Sequence, residues 1–177
     1  MKSLVDFIVV TKNQLPYTKQ CVESLFQCVS EHFHLILVDN GSTDETRAYF
    51  KNIELQKNPR QEISLILNDE NMGYAGGLNQ GLEKAKSRYV FFCNNDILFY
   101  PGTVTEMIRI AETKPTFGLI NPNSNEFGLK THDELYLNSQ KGKWVERCHT
   151  SGFCVIDRKS TRLNSSHLKL SRMPSSA

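Results

Sequence analysis

Four times along the chain the same alternation appears: a short apolar run of strand length, a polar loop rich in Asn, Asp, Gly and Thr, then apolar residues at helical spacing. The runs are Val5 to Val10, Leu35 to Val38, Ile63 to Leu67 and Tyr89 to Cys93. After the first, Val22, Leu25, Phe26 and Val29 fall on one face of a helix predicted from about Tyr17 to Val29. After the second, Ser42 followed three residues later by Glu45 reads as a capping box, which predicts a helix from about Thr43 to Asn52. Leu78, Leu82 and Ala85 share a face after the third run, and Val104, Met107, Ile108 and Ala111 share one after the fourth. Strands alternating with amphipathic helices predict an α/β domain with a mostly parallel sheet, flanked by helices and joined by right-handed crossovers. Phe117 to Ile120 predicts a short fifth strand, and strand character returns between Cys148 and Ile156. The stretches from Lys51 to Glu62 and from Asn121 to Arg147 are polar and predict loops and turns.

The candidate chemistry sits in the loops that follow the strands. Tyr89-Val90-Phe91-Phe92-Cys93 has the composition of a central strand buried on both faces, and it breaks abruptly into Asn94-Asn95-Asp96. In open α/β sheets ligands bind in the crevice beyond the carboxyl ends of the strands. Asp96, with Asn94 two residues before it, is therefore placed to hold a hard divalent cation through oxygen ligands. An ordinary Asn/Asp turn is the alternative. Asp39 is fixed at the end of the second strand, ahead of a helix. The loop Asn68 to Gly77 carries Gly73, Gly76 and Gly77 beside Asn71 and Asn79, where close backbone approach and exposed N–H groups favour a diphosphate; the alternative is a flexible connector.

Composition narrows the partners. The 177 residues make one domain's worth of chain, and 21 Lys and Arg against 19 Asp and Glu, spread evenly, give no basic face for nucleic acid. Asp6 inside the first apolar run argues against a signal peptide or anchor. Cys21, Cys28, Cys93, Cys148 and Cys154 fit no ligand spacing and read as reduced core thiols of a cytoplasmic protein. His32 and His34 flank a strand entrance and are expected to be solvated, while Asp133 and Glu134 read as plain surface.

Taken in order, the loops read Val10-Thr11-Lys12-Asn13, Asp39-Asn40-Gly41-Ser42-Thr43-Asp44, Asn71 to Gly81, and Asn94-Asn95-Asp96. This series resembles glycosyltransferase family 2, the inverting enzymes of GT-A fold, and especially rhamnosyltransferase-like members. The resemblance implies sugar transfer from a nucleotide-diphosphate sugar donor to a glycan or lipid-linked acceptor, in surface polysaccharide synthesis, at the inner face of the membrane. It implies donor-binding roles for Thr11, Asn13, Asp39, Asn71, Gly76, Gly77, Asn79, Asn94 and Asn95. It also implies a Mg²⁺ or Mn²⁺ ion on Asp96 and acceptor-side roles for Ser151 and Gly152. Asn94-Asn95-Asp96 departs from the family's D-x-D by one charge. The family's Glu-Asp general-base motif, expected some tens of residues past Ser151-Gly152-Phe153, has no counterpart here. A catalytically silent nucleotide-sugar-binding module is an alternative. A sugar nucleotidyltransferase is another, although the loop from Thr11 to Pro16 lacks the glycines that class would need.

From Asp157 to His167 the chain looks like one reading frame of a sequencing adapter. The expectation is a partial nucleotide-sugar-binding domain over residues 1–157, incomplete at its C-terminus. Residues 158–177 would then be a non-native disordered tail. A chain of that kind would lack the acceptor half and turn over poorly.

Overall fold

The structure is a computed structural model that describes residues 5–55, 61–114, 116, 118–122 and 154–158. Among these residues six strands and four helices follow in the order β1 (Val5–Thr11), α1 (Leu15–Cys28), β2 (Phe33–Asn40), α2 (Thr46–Leu55), β3 (Gln61–Asn68), α3 (Gly73–Lys84), β4 (Tyr89–Asn94), α4 (Thr103–Thr113), β5 (Leu119–Ile120) and β6 (Cys154–Arg158). They form one sheet in the order β3-β2-β1-β4-β6-β5. β1 to β4 run parallel, and β6 returns antiparallel beside β4, as the mostly parallel reading anticipates. β6 also carries Asp157 and Arg158, both buried. Ser151, Gly152, Asp133, Glu134, Cys148 and residues 159–177 lie outside the described residues.

Every residue of β1 and β2 is buried, so both faces of these strands must be covered. Side chains alternate across a strand. Phe7, Val9, Leu35, Leu37 and Phe91 therefore join one core with Val22 and Leu25 of α1, Phe50 of α2 and Met107 of α4. Ile8, Val10, Ile36, Val38 and Val90 face the other way, against Leu78 of α3. That second core is small because α3 lies very close to the sheet. A Cβ on Gly77 would stand 2.7 Å from Val10 Cγ1, and one on Gly81 would stand 2.4 Å from Ile8 Cγ2. Gly77 thus serves packing: it is buried against the sheet, within a helix that already starts at Gly73, rather than in a loop open to a diphosphate.

Two local readings are corrected. α2 starts at Thr46, three residues later than the capping box predicts, because Ser42 Oγ is already the acceptor for Asn13 N–H at 2.7 Å. Asp44 takes the role at the helix start, accepting from Thr46 N–H at 3.1 Å. α2 also continues to Leu55, into the stretch predicted as loop.

His34 is not solvated. It is 1% exposed, with Nδ1 3.1 Å from Asp6 Oδ1 and Nε2 2.9 Å from Ser64 Oγ. Asp6, fully buried, also accepts from the N–H groups of Lys86 and Ser87, both at 2.7 Å, and from Ser87 Oγ at 2.9 Å. Burial alone would raise the Asp6 pKa, but the donors from His34 and Ser87 outweigh it and hold the carboxyl below its ordinary value. The missed signal was spacing: His34 pairs in register with Asp6 on the neighbouring strand.

Two measurements follow from this packing. In an open helix Gly→Ala gains about 1 kcal/mol, but here the added methyl overlaps the sheet. Gly77→Ala and Gly81→Ala are each expected to lose about 1–3 kcal/mol in chemical denaturation. For Asp6, a depressed folded-state pKa means its stabilisation is complete above the unfolded value near ~4 and is lost as pH falls through the folded value. The melting midpoint should therefore drop through that acid window, and Asp6→Asn should flatten this limb.

Candidate donor-binding site at the strand ends

β1 lies at the centre of the sheet, where the strand order turns around: β2 and β3 build out on one side of it, β4 on the other. Such a reversal opens a crevice at the carboxyl ends of the two diverging strands. Register places the predicted residues there. Thr11 is opposite Asp39 on one side, and Val10 is opposite Asn94 on the other. Asp39 and the Asn94 to Asp96 loop therefore share one rim of the molecule.

The loop after β1 makes a tight reversal, with Asn13 and Gln14 both left-handed at φ 58° and 64°. Asparagine tolerates this conformation better than most residues. Asn13 then spans to the loop after β2: its N–H donates to Ser42 Oγ, and its Oδ1 accepts from Thr43 N–H at 2.8 Å. Asp44 reaches back, with Oδ2 accepting from Leu15 N–H at 3.3 Å. Partial burial pushes the Asp44 carboxyl up, but the N–H donors of Thr46 and Leu15 hold it below its usual range.

Asp39 is fully buried. Its Oδ1 accepts from Ser42 N–H at 3.1 Å, and its Oδ2 accepts from Arg47 Nε at 2.9 Å. Arg47 also donates through Nη2 to the Asn68 carbonyl, so one guanidinium joins the ends of β2 and β3. In this arrangement both Asp39 oxygens organise protein loops. Asn40, which the sequence reading left unassigned, is equally committed. Its Oδ1 accepts from Met72 N–H at 3.0 Å and from Asn68 Nδ2 at 3.1 Å, and its Nδ2 donates to the Gly73 carbonyl at 3.0 Å. Asn40 thus sets the loop that leads into α3, where Asn71 Oδ1 caps Gly73 N–H at 3.0 Å.

At the end of β4 the two asparagines differ. Asn94 Oδ1 accepts from Tyr74 OH at 3.0 Å, which ties β4 to the first turn of α3. Tyr74 is 39% exposed as a whole, but desolvation of its hydroxyl raises the pKa, so it stays a donor. Asn95 turns inward, with Nδ2 donating to Thr11 Oγ1 and to Thr18 Oγ1, each at 3.0 Å. Asp96 is exposed at the rim. Asn71 is exposed, and Gly76 and Asn79 are half-buried along α3.

A hard divalent cation needs oxygen ligands, and Mg²⁺ is commonly held by one or two carboxylates together with substrate phosphates. Asp96, exposed at the rim, fits that pattern, and the residue before it, Asn95, has a side-chain Oδ1 with no hydrogen-bond partner among the described residues. No group of three or more His, Cys, Asp or Glu among the described residues could hold a metal unaided. Cys21, Cys93 and Cys154 are buried thiols, with Cys93 and Cys154 Sγ 3.9 Å apart, and burial first of all pushes Cys21 up to about 12. Burial raises the Cys93 thiol as well, so neither it nor Cys21 is a ready ligand.

The family described as Glycosyl transferase family 2 matches residues 6–165, and the chain belongs to it. Among relatives, it is 25% identical over 149 residues to an uncharacterized glycosyltransferase of Rickettsia felis, covering 84% of this chain and 22% of that protein. It is 35% identical over 118 residues to a teichoic acid poly(glycerol phosphate) polymerase of Staphylococcus epidermidis, covering 67% of this chain and 16% of that protein. The chain thus spans well under half the length of these curated relatives. A mannosyltransferase of Pyrobaculum calidifontis, solved with GDP-Man and Mn²⁺, superposes with a TM-score of 0.73 at 19% identity, over 92% of this chain and 47% of that one. S. aureus TarS 1–349 in complex with UDP-GlcNAc gives 0.58 at 18% identity, over 75% and 39%. The fold is that of the GT-A glycosyltransferases.

Arg47 is the rim residue whose loss should be felt furthest. Arg47→Met leaves the buried Asp39 without its cation and frees the Asn68 carbonyl. The expected result is a lower melting midpoint together with faster amide exchange at the ends of both β2 and β3.

Proposed function

We propose that this chain supplies the donor side of an inverting glycosyltransferase, one that moves a sugar from a nucleotide-diphosphate sugar to an acceptor hydroxyl. The observation that carries the reading is the convergence of Thr11, Asn13, Asn71, Asn95 and Asp96 at the strand-order reversal of a GT-A sheet. The first turn of α3, with Gly73 capped and Asn79 half-buried beyond it, lies along the diphosphate and sugar. Asp96, with the Asn95 side-chain Oδ1 one residue before it, would hold the cation. When bound, Mg²⁺ or Mn²⁺ neutralises charge on the departing diphosphate. Asp39 and Asn40 act at one remove, fixing the loops that the nucleotide would lie against. A carboxylate base takes the proton of the acceptor hydroxyl, and the reading assigns it to none of the described residues.

A rhamnosyl or other hexosyl donor is proposed, with the product entering a surface polysaccharide. The names of relatives support the polysaccharide part of this reading: besides the teichoic acid polymerase, a putative teichuronic acid biosynthesis glycosyltransferase, TuaG of Bacillus subtilis, is 34% identical over 95 residues, 54% of this chain and 36% of that protein. No helix among the described residues is long and apolar enough to cross a membrane. We place the reaction in the cytoplasm, at the inner face of the membrane.

Because one carboxylate and one amide carbonyl are too few ligands alone, cation and nucleotide should bind together. In calorimetry, UDP, GDP or dTDP is expected to bind more tightly with Mn²⁺ present, and Mn²⁺ alone weakly. Asp96→Asn should abolish the Mn²⁺ effect while the melting midpoint holds. Failure of all three nucleotides to bind, with and without Mn²⁺, would sink the reading.

A further inference from the structure

α1 acts as the template on which the Asp96 loop is cast. Three of its side chains, at positions 18, 21 and 24, hold successive parts of that loop. Thr18 Oγ1 accepts from Asn95 Nδ2 at 3.0 Å, Cys21 Sγ donates to the Asn94 carbonyl at 3.6 Å, and Ser24 Oγ accepts from Phe99 N–H at 3.0 Å. Of the three, only Thr18 also reaches the loop after β1: its hydroxyl lies 2.9 Å from Thr11 Oγ1 and 3.3 Å from the Gln14 carbonyl.

Counting protons fixes the direction of the amide. Thr11 Oγ1 spends its one hydrogen on the Asn13 carbonyl, at 3.0 Å, and Thr18 Oγ1 has the Gln14 carbonyl or Thr11 Oγ1 for its own. Both hydroxyl oxygens are then left as acceptors, and the two hydrogens of one NH₂ group satisfy them. The reversed amide would set its carbonyl oxygen against Thr11 Oγ1, whose hydrogen is already on the Asn13 carbonyl, and would leave Thr18 the one hydroxyl of the pair able to donate to it. The Asn95 carboxamide is therefore held with its nitrogen inward, toward both threonines. Thr18 is fully buried, so no water replaces its hydroxyl.

We propose that Thr18 is a positioning residue for nucleotide-dependent cation binding: by accepting from Asn95 Nδ2 it holds the turn that carries Asp96. This rests on the donor-site reading above. The residue lies on α1, outside every loop motif, and acts only through Thr11 and Asn95.

The test is a calorimetric titration of UDP, GDP and dTDP, with and without Mn²⁺, into the whole chain and three variants. Thr18→Val keeps the shape without the hydroxyl, Thr18→Ala removes it with no crowding, and Thr18→Ser restores it. The readout is the ratio of nucleotide affinities with and without Mn²⁺, taken beside each melting midpoint. Both hydroxyl-free variants are expected to cut that ratio by roughly fivefold or more while affinity without Mn²⁺ changes little, and Thr18→Ser to recover it. A ratio that stays at the unsubstituted value in both Val and Ala, with a lowered melting midpoint, overturns the inference and leaves Thr18 a packing residue. Absence of any Mn²⁺ effect in the unsubstituted chain, despite nucleotide binding, also overturns it and points to metal-independent binding. No nucleotide binding at all overturns the donor-site reading, and this inference with it.

Discussion

The complete burial of β1 is the constraint on which the rest depends. A strand with helices on both faces and a parallel neighbour on each side has no solvent-facing side chain. Polar residues are tolerated only where they find partners inside or where the strand ends. Asp6 takes the first solution, through His34 and Ser87, and Thr11 takes the second. Because β2 and β4 flank β1 in register, their own polar ends, Asp39 and Asn94, arrive at the same rim. The site follows from where burial stops.

Most polar side chains at that rim hold one another. Asn13 and Asp44 cross-link the loops after β1 and β2, Arg47 joins the ends of β2 and β3, Asn40 sets the approach to α3, and Asn95 joins β4 to β1 and α1. Among the described residues few rim side chains then remain uncommitted, chiefly Asn79 and Asp96, the Nδ2 of Asn71 and the Oδ1 of Asn95. A rim built this way loses little freedom on binding, since the ordering cost is met in folding.

Much of this was legible in the sequence because both periodicities are strong. The four strands, the faces of α1, α3 and α4, and the clustering of motifs after strands all follow from apolar spacing. What sequence could not give was which polar atom meets which. Ser42 and Glu45 match a helix-capping pattern, yet Ser42 Oγ is claimed from 29 residues away by Asn13. The glycines at 77 and 81 share a stretch with those of a ligand loop, and only the approach of α3 to Ile8 and Val10 shows them to be spacers. His34 looked like a surface residue because its partner, Asp6, lies on another strand.

β4 is held at both ends: Ser87, just ahead of it, by the buried carboxylate of Asp6, and Asn95, just behind it, by two threonine hydroxyls. A segment clamped in this way has no slack. Inserting or deleting one residue between the clamps would turn every side chain of the strand to the wrong face or tear one anchor loose. A change of length that keeps both anchors can thus be absorbed only in the outer loops, and the distance from Ser87 to Asn95 behaves as a fixed ruler for the cleft.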